Sequence, residues 1–315
     1  MNQQAALAPL LPGLIAELHG HTLHAEICRA VLKSDLSSSE QPHAELNLNH
    51  QDAGTALHWA CGQRLTEAAL AVLSCRSFVA VNAKLKADRS SALHIACAEG
   101  LITVVEALLA HPQFTAAADT DSDGFTALHA AAFKGHTECA RLLLTSPRFG
   151  TAAGVIGMFD VARPKDHWAS EAAALYDMRT ALHMAASMGH AEICEAILTL
   201  SPYHCAADVT NRIGATALHM AAREKRTAAC LAILRRSEFN AINARDARGF
   251  TALHWSAHQA SGDICQAVLA RDDFTAVADT DLKGRTAMDI AKEFGYHEVR
   301  RLILARMGAE GLELL

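Results

Sequence analysis

Apolar and polar positions along the chain recur with a period of 35 or 36 residues. The repeated phrase is Thr-Ala-Leu-His, with Ser at the first position once and with Met and Asp at the third and fourth positions once. It begins at Thr55, Ser91, Thr126, Thr180, Thr216, Thr251 and Thr286. The intervals between these positions are 36, 35, 54, 36, 35 and 35 residues, so one interval holds an insertion of 18 or 19 residues. A period of this length predicts an array of stacked repeats.

Each period predicts two short helices and a turn. The Thr or Ser is a helix N-cap, because its hydroxyl can accept an unpaired backbone N–H. Small residues such as Ala185 and Ala186 allow neighbouring first helices to approach closely, and a break is expected nine positions after the Thr or Ser, as at Gly189. A second helix then carries apolar residues at helical spacing, such as Ile193 and Ile197. Gly two residues before the next Thr, and Asp or Asn five residues before it, favour a tight turn.

On these motifs, the repeats resemble ankyrin repeats. The phrase Thr-Ala-Leu-His-x-Ala is similar to the family's Thr-Pro-Leu-His-x-Ala, and Gly-His-x-Glu, a familiar start of the family's second helix, occurs at Gly135 and Gly189. The resemblance covers nearly the whole chain. It implies an all-α solenoid of stacked helix-turn-helix units with short hairpin fingers, with about seven repeats and an N-terminal cap.

The period departs from the family's usual length of about 33 residues. The extra residues follow the second helix, where an aromatic residue lies 23 positions after the Thr or Ser. We expect these aromatic side chains to pack the loop onto the next repeat: Phe78, Phe114, Phe149, Tyr203, Phe239 and Phe274.

The predicted boundaries follow from the period. Residues 1–49 form an N-terminal cap or degenerate repeat, and the first to seventh repeats are residues 50–85, 86–120, 121–174, 175–210, 211–245, 246–280 and 281–315, the last being a C-terminal cap. The insertion, residues 151–179, follows the helices of the third repeat. It contains Met158, Phe159, Trp168 and Tyr176, and it either forms part of an interface or covers the apolar seam between the third and fourth repeats.

Composition narrows the classes of partner. The net charge of −6 disfavours nucleic acid and anionic membranes. The apolar stretch from Ala5 to Leu18 is too short to span a bilayer. An export signal requires a positively charged region before its apolar stretch, and no Lys or Arg precedes Arg29. Nine Cys without a CxxC pair argue against a disulfide framework and a four-thiolate zinc site. The expected compartment is the cytoplasm or nucleus, with reduced thiols.

Catalytic and metal sites are not expected. Six of the eighteen His occupy the fourth position of the repeated phrase, where the resemblance implies hydrogen bonds from the first helix to the adjacent hairpin backbone. Cys28, Cys194, Cys230 and Cys265 share one repeat position, which is typical of a core. The chain contains no phosphate-binding loop, no GxSxG and no HExxH. The sequence therefore predicts a protein that is not an enzyme and has no cofactor and no metal.

With catalysis not expected, the class of function that remains is binding to a partner. By resemblance, partner contacts lie four, three and one residues before the Thr, and seven and eight residues after it. In the middle repeats these positions carry aromatic, Arg and Met side chains, which favour protein interfaces. Together with Trp168 of the insertion, the predicted contacts are Phe125, Phe133, Lys134, Tyr176, Arg179, Met188, Arg212, Ile213, Arg223, Arg248, Phe250 and His258.

Two functions remain open at this stage. The first is a monomeric scaffold or adaptor that binds another protein or a peptide on the concave face of the middle repeats. The second is a small-molecule sensor or an enzyme with a pocket between residues 151–179 and the third and fourth repeats. Its polar groups would come from Asp160, Lys165, Asp166, His167 and Glu171.

Two asparagines suggest a form of regulation. Asn82 and Asn243 each lie 27 residues after a Thr. They resemble the hairpin Asn that asparaginyl hydroxylases modify in ankyrin repeats. The alternative is that both residues are ordinary turn residues.

Overall fold

The computed structural model describes residues 47–49, 54–150, 180–200 and 207–308. It divides into two compact bodies, Met1–Phe149 (the N-terminal body) and Gly150–Leu315 (the C-terminal body). Most of the predicted N-terminal cap and the whole 151–179 insertion lie outside the described residues. Fifteen α-helices account for most of the described chain, with short 3₁₀ turns and two isolated β-bridges between them.

The helices of the N-terminal body alternate between first and second helices of successive repeats. They are α1 Ala56–Gly62, α2 Thr66–Ser74, α3 Ala92–Glu99, α4 Ile102–Ala110, α5 Ala127–Lys134 and α6 Thr137–Thr145. A short helix, α7 Pro147–Gly150, ends this part of the chain.

The C-terminal body repeats the same alternation. Its helices are α8 Ala181–Met188, α9 Ala191–Leu200, α10 Ala217–Arg223, α11 Thr227–Leu234, α12 Ala252–His258, α13 Gly262–Leu269, α14 Ala287–Glu293 and α15 His297–Arg306. Among the described residues, none of these helices or those of the N-terminal body combines the length and apolar character that a membrane span needs.

Helices stack by type within each body. First helices pack against first helices (α1, α3 and α5; α8, α10, α12 and α14), and second helices against second helices (α2, α4 and α6; α9, α11, α13 and α15). Each first helix also packs against the second helix of its own repeat. This arrangement confirms the predicted all-α class with stacked helical repeats. The number of repeats in the whole chain stays a prediction.

The repeated phrase forms a capping box. In the first six repeats the Thr or Ser is the N-cap of the first helix, with extended backbone angles. The Nδ1 of the following His accepts its backbone N–H over 3.2–3.3 Å and lies 2.8–2.9 Å from its hydroxyl. In the seventh repeat Asp289 takes the place of the His, and its Oδ2 accepts the N–H and the hydroxyl of Thr286 over 2.9 and 2.7 Å.

Four of these His side chains also join successive repeats: His94, His183, His219 and His254. The Nε2 of His94 donates to the carbonyl oxygen of Phe125 over 3.0 Å, and that of His219 donates to the carbonyl oxygen of Phe250 over 3.1 Å. Burial lowers the pKa of His94, His219 and His254 below the usual value, and lowers that of His58 to about 4. The predicted hydrogen bond to the adjacent hairpin backbone is therefore confirmed for His94, His183, His219 and His254.

Every first helix is followed by a residue with positive φ nine positions after its N-cap. Gly occupies this position four times, as predicted, at Gly100, Gly135, Gly189 and Gly295. In the other three repeats Arg64, Lys225 and Ala260 adopt the same left-handed conformation, with φ of 58°, 55° and 56°. A side chain with a Cβ is strained there, so the backbone geometry of the break is kept even where the sequence lacks Gly.

The aromatic residues of the loops are core residues. Phe78, Phe114, Phe149, Phe239 and Phe274 are at most 2% exposed, which confirms the predicted packing; Tyr203 lies outside the described residues. The described cysteines are also buried and unbridged: Cys61, Cys75, Cys97, Cys139, Cys194, Cys230 and Cys265.

An amide ladder, which the sequence alone did not reveal, also links the repeats. The Oδ1 of Asn82 accepts the N–H groups of Thr115 and Ala116 over 2.8 and 3.2 Å, and its Nδ2 donates to the carbonyl oxygen of Gln113 over 2.7 Å. Asn243 makes the equivalent three bonds. Both residues therefore bridge two repeats, and their hydroxylation stays a hypothesis.

Candidate functional site

Within each body, the turns between repeats form a row of rigid tips. In the third repeat, the Oδ1 of Asp121 accepts the N–H groups of Asp123 and Phe125 over 2.8 and 2.9 Å. Asn211, Asp246 and Asp281 make the same pair of bonds in the fifth to seventh repeats. The Gly two residues before the Thr or Ser has a positive φ, as at Gly124 (84°). In each body, we call the surface formed by these tips and by the last turns of the first helices the tip face of that body.

Backbone hydrogen bonds hold adjacent tips in register. In the N-terminal body the N–H of Ser122 donates to the carbonyl oxygen of Asp88 over 2.7 Å. In the C-terminal body Ala247 donates to Ile213 over 2.8 Å, and Leu282 donates to Arg248 over 3.0 Å. The side chain three residues before the Thr is therefore presented in the same way by successive tips.

The N-terminal body places three predicted contact residues on the tip face. Phe133 is 39% exposed at the end of α5, and the Nζ of Lys134 lies 5.8 Å from the centroid of its ring. Phe125 is only half-buried and its ring lies 5.3 Å from that of His129, so it packs partly on its own repeat. The tips around them carry the acidic residues Asp88 and Asp123.

In the C-terminal body, Phe250 differs from the prediction. It is only 6% exposed, and its ring packs 5.4 Å from the ring of His254 and 4.9 Å from that of Trp255. The Phe250 ring therefore belongs to the packing beneath the tip face, because the turn directs it back onto α12. The sequence pattern correctly located Phe250 within the repeat but did not predict that its ring is buried.

Trp255 supports the tip face from below. It is 6% exposed, and its Nε1 donates to the Oδ2 of Asp246 over 2.9 Å. The guanidinium of Arg248 lies 5.6 Å from the Trp255 ring centroid, a cation–π arrangement. The carboxylate of Asp246 therefore stabilises both the turn and the indole ring of Trp255, against which Arg248 packs.

An aromatic row continues from Trp255 into the seventh repeat. The ring of His258 lies 5.9 Å from that of Trp255 and 5.5 Å from that of Phe294, which in turn lies 5.8 Å from that of Tyr296. Phe294 is 47% exposed. The Nδ1 of His258 is buried and has no hydrogen-bond partner within the described part of the chain.

Three residues of the seventh repeat were missed by the sequence analysis. Leu282 is 76% exposed at the tip, Lys283 is exposed beside it, and Phe294 ends the aromatic row. They occupy the same positions relative to Thr286 as the contacts predicted in the other repeats. The sequence predicts a C-terminal cap for this repeat, and none of these three residues is among the predicted contacts.

The other predicted contacts have different surroundings. Met188 is 38% exposed and Arg212 is exposed, whereas Ile213 is half-buried. Arg223 is half-buried and forms an ion pair with Glu224 over 2.9 Å. Trp168, Tyr176 and Arg179 lie outside the described residues, as does the insertion on which the alternative pocket depends. Among the described residues, no group of three or more His, Cys, Asp or Glu could hold a metal ion.

Comparison with known families agrees with this geometry. The profile for ankyrin repeats (three copies) matches residues 71–152 and 164–243, just over half of the 315 residues. The chain belongs to the ankyrin repeat family. Ankyrin repeats generally mediate protein–protein interaction and are typically non-catalytic. No curated protein sequence matches the chain significantly. The sixth and seventh repeats lie beyond the matched ranges, and their helices nevertheless have the same order, caps and tips.

Proposed function

We propose that this ankyrin repeat protein is a non-catalytic scaffold or adaptor that acts as a monomer in the cytoplasm or nucleus. It binds another protein or a peptide on the tip face. The contacts come from Phe133 and Lys134 in the N-terminal body and from Arg248 and His258 in the C-terminal body.

The exposed ring of Phe133 is the observation that carries this proposal. The equivalent position of the other six repeats carries either a small residue (Gly62, Ala98, Ser187) or a polar one (Arg223, His258, Glu293), so packing of the repeat does not require Phe there. Exposing 39% of a Phe beside a cation costs free energy in water unless a partner covers the ring. Aromatic side chains next to basic ones are typical of residues that dominate protein interfaces.

Affinity capture from native lysate tests the proposal. The protein is compared with a Phe133→Ala/Lys134→Ala variant and with a control, Ile102→Ala. Ile102 is 41% exposed at the start of α4, so its replacement removes similar apolar surface from a second helix. Circular dichroism and thermal denaturation establish that all three proteins are equally folded.

The expected result is a partner that Phe133→Ala/Lys134→Ala loses and that Ile102→Ala retains. If both variants retain every captured protein, the tip face of the N-terminal body is not the binding site. If Ile102→Ala alone loses the partner, binding takes place on the second helices and the proposal is wrong.

A further inference from the structure

The tip face of the C-terminal body has a charge opposite to that of the chain. The whole chain has 34 acidic and 28 basic residues. At the predicted contact positions of the fifth to seventh repeats, two residues are acidic and five are basic: Arg212, Arg223, Arg248, Lys283 and Arg285. Such a local reversal favours an anionic partner at this surface.

The two acidic residues of this surface are already neutralised. Glu224 pairs with Arg223 over 2.9 Å, and Glu293 pairs with Arg285 over 2.7 Å. Neither of the exposed side chains Arg248 and Lys283 forms an ion pair with any described residue. They are therefore two cations at adjacent tips whose charge an incoming carboxylate can neutralise.

The spacing of these two cations suits an extended chain. Arg248 and Lys283 occupy equivalent positions, and the hydrogen bond from the N–H of Leu282 to the carbonyl oxygen of Arg248 joins their tips. Stacked helices lie roughly 10 Å apart, so equivalent side chains repeat at about that distance. An extended peptide advances about 3.3 Å per residue. Acidic residues three positions apart in such a peptide thus match successive tips.

Exposed apolar side chains lie on the same tip face as the cations, and Leu282 adjoins them. Leu282 is 76% exposed between Arg248 and Lys283, and Phe294 is 47% exposed at the end of the aromatic row. The buried Nδ1 of His258, without a partner in the described part of the chain, lies next to the Phe294 ring. An apolar side chain of a peptide can therefore be covered at the point where its carboxylates are paired.

The equivalent positions of the N-terminal body carry the opposite charge. Its second and third repeats have Asp88, Glu99 and Asp123 at these positions, and Lys134 is the basic residue among them. These positions are less favourable for an acidic segment than those of the fifth to seventh repeats. The contrast assigns the anionic partner to the C-terminal body and gives the two tip faces different specificities.

From these observations we infer that the tips of the sixth and seventh repeats bind an extended acidic segment of a partner protein. The segment has carboxylates three residues apart on Arg248 and Lys283 and an apolar side chain on Leu282. This inference rests on the proposed protein-binding function and specifies the chemistry of one partner.

Fluorescence anisotropy with the full chain and labelled synthetic peptides tests it. The probe is an extended peptide of about 12 residues with Glu at every third position, separated by Ser and Ala, and with one Leu. A second peptide has the same composition with its Glu residues adjacent, and a third has Lys in place of Glu. The spaced Glu peptide binds most tightly and its affinity falls as salt rises, while the Lys peptide does not bind. Equal binding of the spaced and adjacent Glu peptides, or binding of the Lys peptide, overturns the inference.

Variants identify the surface that is responsible. Arg248→Glu and Lys283→Glu each weaken binding of the spaced Glu peptide by about tenfold or more, because an attractive pair becomes a repulsive one. Lys283→Arg retains binding. The control, Arg301→Glu, makes the same charge change at an exposed site on α15 and leaves binding unchanged. If Arg301→Glu weakens binding as much as Lys283→Glu does, the attraction is a property of net charge alone and the inference is wrong.

A second copy of the chain is the competing occupant, because the acidic tips of one N-terminal body complement the basic tips of another C-terminal body. Sedimentation velocity separates the two cases. A monomer supports the peptide inference, and a dimer that Arg248→Glu dissociates contradicts it. If the lysate partner depends on Phe133 but the spaced Glu peptide does not bind, the proposed function stands and this inference fails. If neither the lysate partner nor the peptide binds, both are wrong.

Discussion

The Nε2 of His183 donates a hydrogen bond to the carbonyl oxygen of Ala215, 2.9 Å away in the next repeat. At the same time the Nδ1 of His183 accepts the N–H of Thr180 over 3.3 Å. Only the neutral imidazole with its proton on Nε2 can make both bonds. One side chain thus caps a helix, joins two repeats and requires a particular protonation state.

This requirement predicts that acid destabilises the protein. Burial lowers the pKa of His58 to about 4 and lowers those of His94, His219 and His254. In the unfolded chain these groups bind protons below a pH of about 6.5. The unfolded state therefore binds more protons between about pH 6.5 and 4, and the free energy of unfolding falls as the pH falls through this window. For His58 alone the loss is about 3 kcal/mol.

Urea denaturation at pH 7.5, 6.0 and 5.0 measures this effect, since it gives the free energy of unfolding at each pH. The control is His297→Gln, because His297 is exposed and lies outside the repeated phrase; its pH dependence matches that of the unaltered protein. A free energy of unfolding that does not change between pH 7.5 and 5.0 contradicts the account of the buried His.

Ala260→Gly is predicted to stabilise the protein by about 0.5–1 kcal/mol. Ala260 has a φ of 56°, and Gly relieves the cost of a left-handed residue with a Cβ, partly offset by the greater entropy of Gly in the unfolded chain. The converse change, Gly135→Ala, at a φ of 85°, is destabilising. Denaturation of both variants tests the prediction, and a loss of stability in Ala260→Gly rejects it.

Asn243→Ala is predicted to lower the free energy of unfolding by about 2 kcal/mol, because it removes three hydrogen bonds to the next repeat and leaves their partners unsatisfied. Asn243→Asp is milder, since its carboxylate keeps the acceptor for the N–H groups of Thr275 and Ala276. Asp208 already makes the equivalent bonds between two other repeats, since its Oδ1 accepts the N–H groups of Asn240 and Ala241 over 2.9 Å. Thermal denaturation ranks the two variants, and equal losses of stability are inconsistent with the bridging role.

Asp246→Asn is predicted to destabilise the sixth repeat by about 1–3 kcal/mol, because an amide N–H then faces the Nε1–H of Trp255. The fifth repeat contains the compatible pair, in which the Nδ2 of Asn211 lies 3.9 Å from the Sδ of Met220. The double change Asp246→Asn/Trp255→Met therefore loses less stability than the sum of the two single changes, although truncation of the buried Trp255 has a cost of its own. A double-mutant cycle of denaturation free energies measures the coupling; additive effects of the two substitutions disagree with the structure.

Much of the fold was predictable because a pattern that recurs in seven repeats identifies positions that a single repeat would leave ambiguous. Seven copies of one phrase identify the N-cap, the His and the small residues as a unit, and the recurrent aromatic 23 positions later is recognisable as core only because it recurs. Arg64, Lys225 and Ala260 adopt the αL conformation within the turn between the two helices of one repeat, where residue preference alone favours Gly. The bridging by Asn82 depends on contacts with the next repeat, which the sequence of one repeat does not show.

The candidate site was less predictable than the fold, because exposure depends on neighbouring side chains. Phe125, Phe133 and Phe250 all lie at predicted contact positions, yet the ring of Phe250 is buried against α12 while that of Phe133 is exposed. Leu282 and Phe294 occupy equivalent contact positions, but in the repeat that the sequence predicts to be a C-terminal cap. The position in the repeat thus predicts which face a side chain lies on, and the structure shows which of these side chains are exposed.

Site-specific photo-crosslinking tests the central claim, partner binding on the tip face, most directly. A photoreactive phenylalanine analogue replaces Phe133, Phe294 or, as the control, Ile102 in the full chain, and irradiation in native lysate is followed by identification of the crosslinked proteins. The account predicts that Phe133 and Phe294 give discrete protein adducts and that Ile102 does not. Adducts from Ile102 alone, or the same adducts from all three positions, would contradict it.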